Sequence, residues 1–192
     1  MAYEVETVRY IIDSLWVLLL VYWAVKSFGN KKDKQKLGFW MHNSWPFFII
    51  MAILWTFFKP IGINQALIAQ TQFAQIIGMA VCVCGVIFGI WARKTLSTNW
   101  SAQVVIKENH ELITTGPYAI VRHPIYTGFI TTLLGTIIAI NISVLIIIAE
   151  ASVVLYLWWK LKNEEKIILE QFPREYPEYK NKVRSALIPF LL

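Results

Sequence analysis

Two short segments of the 192-residue chain concentrate side chains that can bind charged ligands or move protons. The first holds Arg122, His123 and Tyr126 within five residues, and the second holds the adjacent acids Glu164 and Glu165. An arginine can receive an anionic group, and a carboxylate can pair with an ammonium. Histidine and glutamate are the usual general bases. Together these residues favour a functional site formed by the two polar segments.

The first segment predicts a turn followed by a helix. Gly116-Pro117 is typical of a turn, and Pro124 can open the next helix, because its missing N–H is harmless in the first turn. Arg122 and His123 would then lie at a helix N-terminus. Free N–H groups and the helix dipole favour a bound anion at that position.

The composition indicates that membrane helices must position these groups. The chain is 57% hydrophobic and only 16% charged, whereas a soluble domain carries about 25% charged residues. A globule of this size has too little interior to hide the excess. The net charge of +6 lies in loops beside apolar runs, and no nucleic-acid motif accompanies it, so we expect no nucleic-acid partner. Cys82 and Cys84 are too few for a metal site, and no metal is expected.

Five apolar runs predict five transmembrane helices, each of which needs about 20 residues. The runs are residues 8–28, 39–58, 73–91, 125–140 and 142–159. Only Asn141 separates the last two, which predicts a helical hairpin; a single bent helix is the alternative. From Lys160 the last helix should continue as a charged amphipathic segment to about Phe172, and the segment with Pro173 and Pro177 should end it.

Positive charge predicts the orientation in the membrane. Four lysines lie in residues 31–36, the polar stretch 95–124 holds Lys107 and Arg122, and the tail is basic. The positive-inside rule places all three segments in the cytoplasm, and five crossings then place the N-terminus outside.

The block Arg122-His123-Pro124-x-Tyr126, preceded by Gly-Pro-Tyr and followed by an apolar hairpin and Glu164-Glu165, resembles the isoprenylcysteine carboxyl methyltransferase family and the related phospholipid methyltransferases. The resemblance spans residues 91–192. It implies an all-α integral membrane protein of one domain, with N-terminal membrane helices in residues 1–70 and a methyltransferase-like catalytic region in 71–192. It also implies a cytoplasmic pocket for S-adenosyl-L-methionine, closed by the C-terminal segment. No GxGxxG follows a strand, as expected for this non-Rossmann fold.

The resemblance assigns roles residue by residue. The cofactor contacts fall on Gln103, His110, Glu111, Leu112, Ile113, Tyr118, His123, Pro124, Ile125, Tyr126 and Glu164. The catalytic candidates are Arg122, His123, Tyr126 and Glu165. The family arginine that helps to hold the substrate falls at Lys160, which keeps the positive charge but loses the bidentate fork.

The chemistry of these residues suits that cofactor. Glu164 can pair with its ammonium, and Arg122 or the helix N-terminus can receive its carboxylate. Tyr118 or Tyr126 can stack on its adenine or its sulfonium. A carboxylate or thiolate acceptor needs no general base, whereas an amine would lose a proton to a base such as His123 or Glu165.

Other interpretations remain open at this level. Arg122 and Lys160 would also serve as headgroup anchors, and Glu164 and Glu165 as a solvated helix face. The function alternatives are an NADPH-dependent sterol-type reductase and a non-catalytic membrane protein of the same fold. The expected partners are membrane lipids and a lipophilic or lipid-bearing substrate. The compact length favours a prokaryotic cell membrane over the endoplasmic reticulum.

Overall fold

The computed structural model describes residues 2–27, 33–36, 71–97, 105–107, 111–140 and 143–189. Within these ranges the chain is predominantly α-helical. The elements, in order, are α1 (Ala2–Ser27), β1 (Asp33–Lys36), α2 (Gln72–Leu96), β2 (Val105–Lys107), a 3-10 turn (Gly116–Ala119), α3 (Pro124–Ile140), α4 (Val144–Gln171) and α5 (Glu175–Lys182).

All four predicted helices that fall on described residues are present. The predicted continuation of the last apolar run is confirmed, since α4 extends through the charged segment to Gln171. The predicted helix at 39–58 and the predicted turn at Asn141 lie outside the described residues, so five crossings and a tight hairpin stay predictions. Three elements were not predicted: the antiparallel strands β1 and β2, and helix α5, which begins shortly after Pro173.

Membrane-spanning capacity is clear for two described helices. Glu6–Lys26 within α1 and Gln72–Leu96, the whole of α2, are long and apolar enough to cross a bilayer, and α3 is a shorter apolar helix of 17 residues. At 1.5 Å per residue, α3 extends about 26 Å, close to the thickness of the hydrocarbon core. These helices support the prediction of an integral membrane protein.

Helices α2 and α3 form the centre of the fold because small residues let their backbones touch. A Cβ added to Gly85 would lie 2.5 Å from the backbone nitrogen of Thr132, and one added to Gly128 would lie 2.7 Å from the Cα of Gly89. Small residues drive helix association in membranes through such close packing. Helix α1 packs on this pair, and the Trp16 indole donates a hydrogen bond to a threonine of α3.

The ends of the helices gather the polar segments on one side of the fold. Arg93, buried near the end of α2, donates to the carbonyl of Lys26 at the end of α1 at 2.7 Å and to the carbonyl of Ser97 at 2.6 Å. The start of α3 and the charged half of α4 lie at this same side. Helix α1 therefore ends, and α2 begins, on opposite sides of the fold, as the predicted topology requires.

Candidate functional site

A buried ion cluster joins the first polar segment to the second. The Nε of Arg122 donates to Oε1 of Glu165 at 2.8 Å, and the two side chains are 6% and 5% exposed. The Nζ of Lys180, on α5, lies 2.7 Å from the other oxygen of Glu165. A buried carboxylate is tolerable when it is paired and hydrogen-bonded, and this one has both a guanidinium and an ammonium. The solvated-face interpretation of Glu165 is therefore wrong.

The segment Val183–Leu187, here called the C-terminal strap, is bound by the block that begins at Arg122. Five consecutive strap carbonyls, from residue 183 to residue 187, accept hydrogen bonds from it. The Nη1 of Arg122 donates to the first two, its backbone N–H to the third at 3.0 Å, the backbone N–H of His123 to the fourth at 2.9 Å, and the hydroxyl of Thr127 to the fifth at 2.6 Å. Arg122, His123 and the first turn of α3 thus bind a non-helical chain segment along five consecutive carbonyls.

Apolar contacts fix the strap as well. Ala186 and Leu187 form a buried cluster with Leu161 of α4, and Tyr126 and Trp158 pack against that cluster. The strap therefore supports one wall of the predicted site through both its backbone and its side chains.

Helix α5 is fixed against the turn before Arg122. Its Tyr176 and Tyr179 are buried in a cluster with Val183 that also contacts Leu112. The hydroxyl of Tyr179 donates to the carbonyl of Tyr118 at 2.7 Å.

Glu164 has different surroundings from its neighbour. Its side chain is 21% exposed, and its Oε1 accepts a hydrogen bond from the hydroxyl of Tyr126 at 2.5 Å. The Nζ of Lys160 lies 3.9 Å from the same oxygen and 5.7 Å from the centre of the Tyr126 ring. The rings of His123 and Tyr126 stack in parallel, 5.6 Å between centres. Each ring nitrogen of His123 lies 3.6 Å from one of the two adjacent glutamates.

The electrostatic surroundings of Glu165 also affect its pKa. Burial raises the pKa of Glu165, but hydrogen bonds with His123, Lys180 and Arg122 outweigh that effect and hold the pKa well below its ordinary value of 4.5. A carboxylate held so firmly in its charged form is a poor general base at neutral pH. The hypothesis that Glu165 takes a proton from the acceptor is therefore disfavoured. Burial lowers the pKa of Lys160, an effect that Glu164 opposes.

A pH titration of stability should reveal the Glu165 cluster. Because its pKa is lower in the folded protein, Glu165 adds stability above pH 4.5 that is lost as the pH falls toward the folded pKa. We expect the unfolding midpoint in detergent to fall between about pH 6 and pH 3, and to fall less in Glu165→Gln, which starts lower. Equal slopes for the parent and Glu165→Gln would contradict this assignment.

The structure brings together only part of the predicted site. His123, Tyr126, Lys160 and Glu164 meet as described, with Pro124 buried and Ile125 half-buried beside them. The remaining predicted cofactor contacts divide into four kinds: Gln103 and His110 lie outside the described residues, Glu111 is exposed, Leu112 and Ile113 are half-buried, and Tyr118 is buried.

One predicted role is corrected. Arg122 or the helix N-terminus was expected to receive the cofactor carboxylate, but the Arg122 guanidinium is already bound by Glu165 and by two strap carbonyls. The backbone N–H groups of Arg122 and His123, just before α3, are bound by the strap as well, and a carboxylate contact with the N–H groups of α3 itself stays a prediction. Sequence reasoning also missed Lys180. It gave the C-terminal segment a role in closing the pocket, but it did not predict that this segment binds Arg122, His123 and Thr127 through its carbonyls. The spacing of Tyr176, Tyr179 and Val183, three and four residues apart, was an available signal of a helix with one buried face.

Comparison with known proteins identifies the matching family. The model of the isoprenylcysteine carboxyl methyltransferase (ICMT) family matches residues 76–170. The chain is 32% identical over 130 residues to the protein-S-isoprenylcysteine O-methyltransferase of Saccharomyces cerevisiae, covering 63% of this chain and 51% of the yeast protein. It is 26% identical over 175 residues to the Homo sapiens protein of that name, covering 88% of this chain and 60% of the human protein.

A solved structure agrees with these relatives. The eukaryotic intramembrane Ras methyltransferase ICMT superposes with a TM-score of 0.59 at 27% identity, covering 78% of this chain and 54% of that chain. The chain thus spans between half and three fifths of the length of these proteins. The matched residues 76–170 include the block from Arg122 to Tyr126 and both adjacent glutamates, so the resemblance seen in the sequence is confirmed. The sterol-reductase alternative is not favoured.

Proposed function

We propose that this protein is an integral membrane methyltransferase that uses S-adenosyl-L-methionine and resembles protein-S-isoprenylcysteine O-methyltransferase in its reaction. The observation that carries the proposal is the meeting of the two polar segments. Tyr126 binds Glu164 across 38 residues of sequence, and Arg122 binds Glu165 across 43. Both contacts lie inside the part of the chain that matches the ICMT family model.

The residues around Glu164 fit this cofactor. S-adenosylmethionine carries an ammonium, a carboxylate, an adenine ring and a sulfonium. Glu164 is a partly exposed carboxylate that suits the ammonium. The stacked rings of His123 and Tyr126 are aromatic surfaces that suit an adenine or a sulfonium. The Nε2 of His123 is buried 3.6 Å from Oε1 of Glu165, so the ion cluster helps to hold this ring in place.

When bound, S-adenosylmethionine supplies an already activated methyl group, so the protein contributes mainly alignment and the exclusion of water. Glu164 would orient the cofactor by pairing with the cofactor's ammonium. The Tyr126 hydroxyl would hold the Glu164 carboxylate in place for this contact. His123 is the candidate to accept a proton if the acceptor is an amine, because Glu165 is committed to its ion pairs. A carboxylate or thiolate acceptor would need no such transfer.

The proposed acceptor is lipophilic: an isoprenylcysteine-like carboxylate, a thiol or a lipid headgroup. The printed names of the yeast and human relatives support the first of these. Lys160 is the proposed substrate contact. Its side chain is only 10% exposed and its ammonium sits between Glu164 and the Tyr126 ring. An ammonium in that position can attract an anionic acceptor as a point charge, without the bidentate geometry of arginine.

Binding and activity of the purified protein test this function. Calorimetry in detergent should give roughly micromolar affinity for S-adenosylmethionine, equivalent to about −8 kcal/mol. Transfer of labelled methyl groups should then be screened with prenylated thiols, small thiols and aminophospholipids, with NADPH binding as the control for a reductase. Folded protein that gives no heat with S-adenosylmethionine would refute the proposal.

We also propose a multi-pass location in a prokaryotic cell membrane, with the site in the cytoplasm and the N-terminus outside. The pairing of β1 with β2, and the contact of Arg93 with the end of α1, support a common side for the loop after α1 and the polar stretch. In a variant without native cysteines, Lys34→Cys and Lys182→Cys should resist labelling from outside intact cells. Glu6→Cys should be labelled. Efficient labelling at position 34 or 182 would overturn this orientation.

A further inference from the structure

Two neighbouring glutamates of α4 have separate sets of partners. Consecutive helix residues point about 100° apart, and here that rotation sends one side chain toward the C-terminal strap and the other toward Tyr126. Glu165 is 5% exposed and holds Arg122 and Lys180 at 2.8 and 2.7 Å. Glu164 is 21% exposed and accepts the Tyr126 hydroxyl.

Lys180 connects Glu165 to the element that leads into the C-terminal strap. It lies on α5, three residues before Val183, where the strap begins. Arg122, the other partner of Glu165, binds the carbonyls of Val183 and Arg184. One carboxylate therefore ties the start of the strap to α4 from two directions: through Lys180 just before the strap, and through Arg122 beneath it.

We infer that Lys180 is a positioning residue that fastens the C-terminal strap through Glu165 and so leaves Glu164 available to a cationic ligand group. This inference rests on the proposed function, because the ligand group is the ammonium of S-adenosylmethionine. Lys180 itself need not touch the ligand. Its effect passes through the strap, whose Leu187 belongs to the cluster against which Tyr126 packs, and Tyr126 in turn holds Glu164.

The expected loss of affinity in a Lys180 variant depends on the fraction of molecules in which the C-terminal strap is fastened. A ligand that binds only one conformation loses apparent affinity in proportion to the fraction of molecules in that conformation. The Lys180 side chain is 47% exposed, so salt should weaken its attraction to Glu165. Arg122 and the strap backbone bonds remain when Lys180 is removed. We therefore expect a partial loss of fastening rather than an unfolded protein.

The test compares Lys180→Met, which removes the charge and keeps the aliphatic chain, with Lys180→Arg, which keeps the charge. Lys180→Met should bind S-adenosylmethionine about two- to fivefold more weakly, a range set by a partly exposed ion pair. Lys180→Arg should restore most of the affinity. Raising the salt concentration should weaken binding by the parent more than binding by Lys180→Met, because the parent alone has this ion pair to screen.

A second measurement examines the strap without any ligand. The amide hydrogens of Arg122 and His123 donate to strap carbonyls, so their exchange with solvent reports the fastened state directly. Exchange in the segment that holds them should be faster in Lys180→Met and unchanged in Lys182→Met, an exposed control on the same helix. If the parent binds no S-adenosylmethionine, the proposed function is refuted. The exchange measurement still shows, in that case, whether Lys180 fastens the C-terminal strap. Unchanged exchange, or faster exchange with unchanged affinity, would overturn the inference.

Discussion

Glu164→Gln should weaken S-adenosylmethionine binding by about ten- to a hundredfold. The substitution removes a charge-assisted hydrogen bond to the cofactor ammonium worth about 1.5–3 kcal/mol, and each 1.4 kcal/mol is a factor of about ten in affinity. A glutamine oxygen can still accept the hydrogen bond from the Tyr126 hydroxyl. Stability without ligand should therefore change little, which separates a binding role from a folding role. Calorimetry and thermal unfolding in the same detergent measure both quantities.

The matched control is Glu170→Gln, which removes an exposed carboxylate from the same helix. Glu165→Gln cannot serve, because that carboxylate is buried between Arg122 and Lys180. We expect the control to bind S-adenosylmethionine as the parent does. Equal losses of affinity in Glu164→Gln and Glu170→Gln would show that Glu164 contributes only general negative charge.

Arg122→Met should be the most destabilising of these changes. It leaves Glu165 buried with one cation fewer, and it removes the donor for the first two carbonyls of the C-terminal strap. Breaking a buried ion pair from one side costs about 3–5 kcal/mol, which corresponds to a midpoint lowered by roughly 6–20 °C for a chain of this length. Arg122→Lys should recover only part of the loss, because an ammonium lacks the planar fork.

Arg184→Met is the control for Arg122→Met. The Arg184 side chain is exposed, and only its backbone carbonyl takes part in the strap contacts. Its unfolding midpoint should stay within a few degrees of the parent, as is usual for surface substitutions. A drop in Arg122→Met no larger than that of Arg184→Met would mean that Arg122 is a headgroup anchor and not the centre of a buried cluster.

Hydrophobic patterning predicted the membrane helices well, because a segment that crosses a bilayer must have an apolar sequence. A segment in hydrocarbon must be apolar and must satisfy its own backbone, so α1, α2 and α3 are visible in composition alone. The charged continuation of α4 was predictable for a related reason: Lys160 and the following charges mark where the apolar run stops. Helix α5 was missed because its Pro177 was taken to end helical structure. A proline in the first turn of a helix is compatible with helical geometry.

The different roles of Glu164 and Glu165 could not be predicted from hydrophobic patterning. Local patterns indicate which face of a helix a residue occupies, but they do not identify a partner from another part of the chain. The partners that separate the two acids are Arg122, 43 residues before Glu165, and Lys180, 15 residues after it. The resemblance to a known family located the acidic pair. Only the three-dimensional contacts distinguish the ion-paired carboxylate from the one facing the proposed ligand.

The way in which the C-terminal strap is held constrains its length more than its composition. Arg122, His123 and Thr127 bind five consecutive main-chain carbonyls of Val183–Leu187, so these hydrogen bonds do not depend on the strap side chains. The exposed side chain of Arg184 can therefore change without loss of these bonds. Deleting one residue before the strap would slide every carbonyl to its neighbour's donor. The slip would bring Arg184 into the buried place of Val183, and Ile188 into that of Leu187. Natural variants should therefore accept substitutions at the exposed position of Arg184 far more readily than insertions or deletions in the segment.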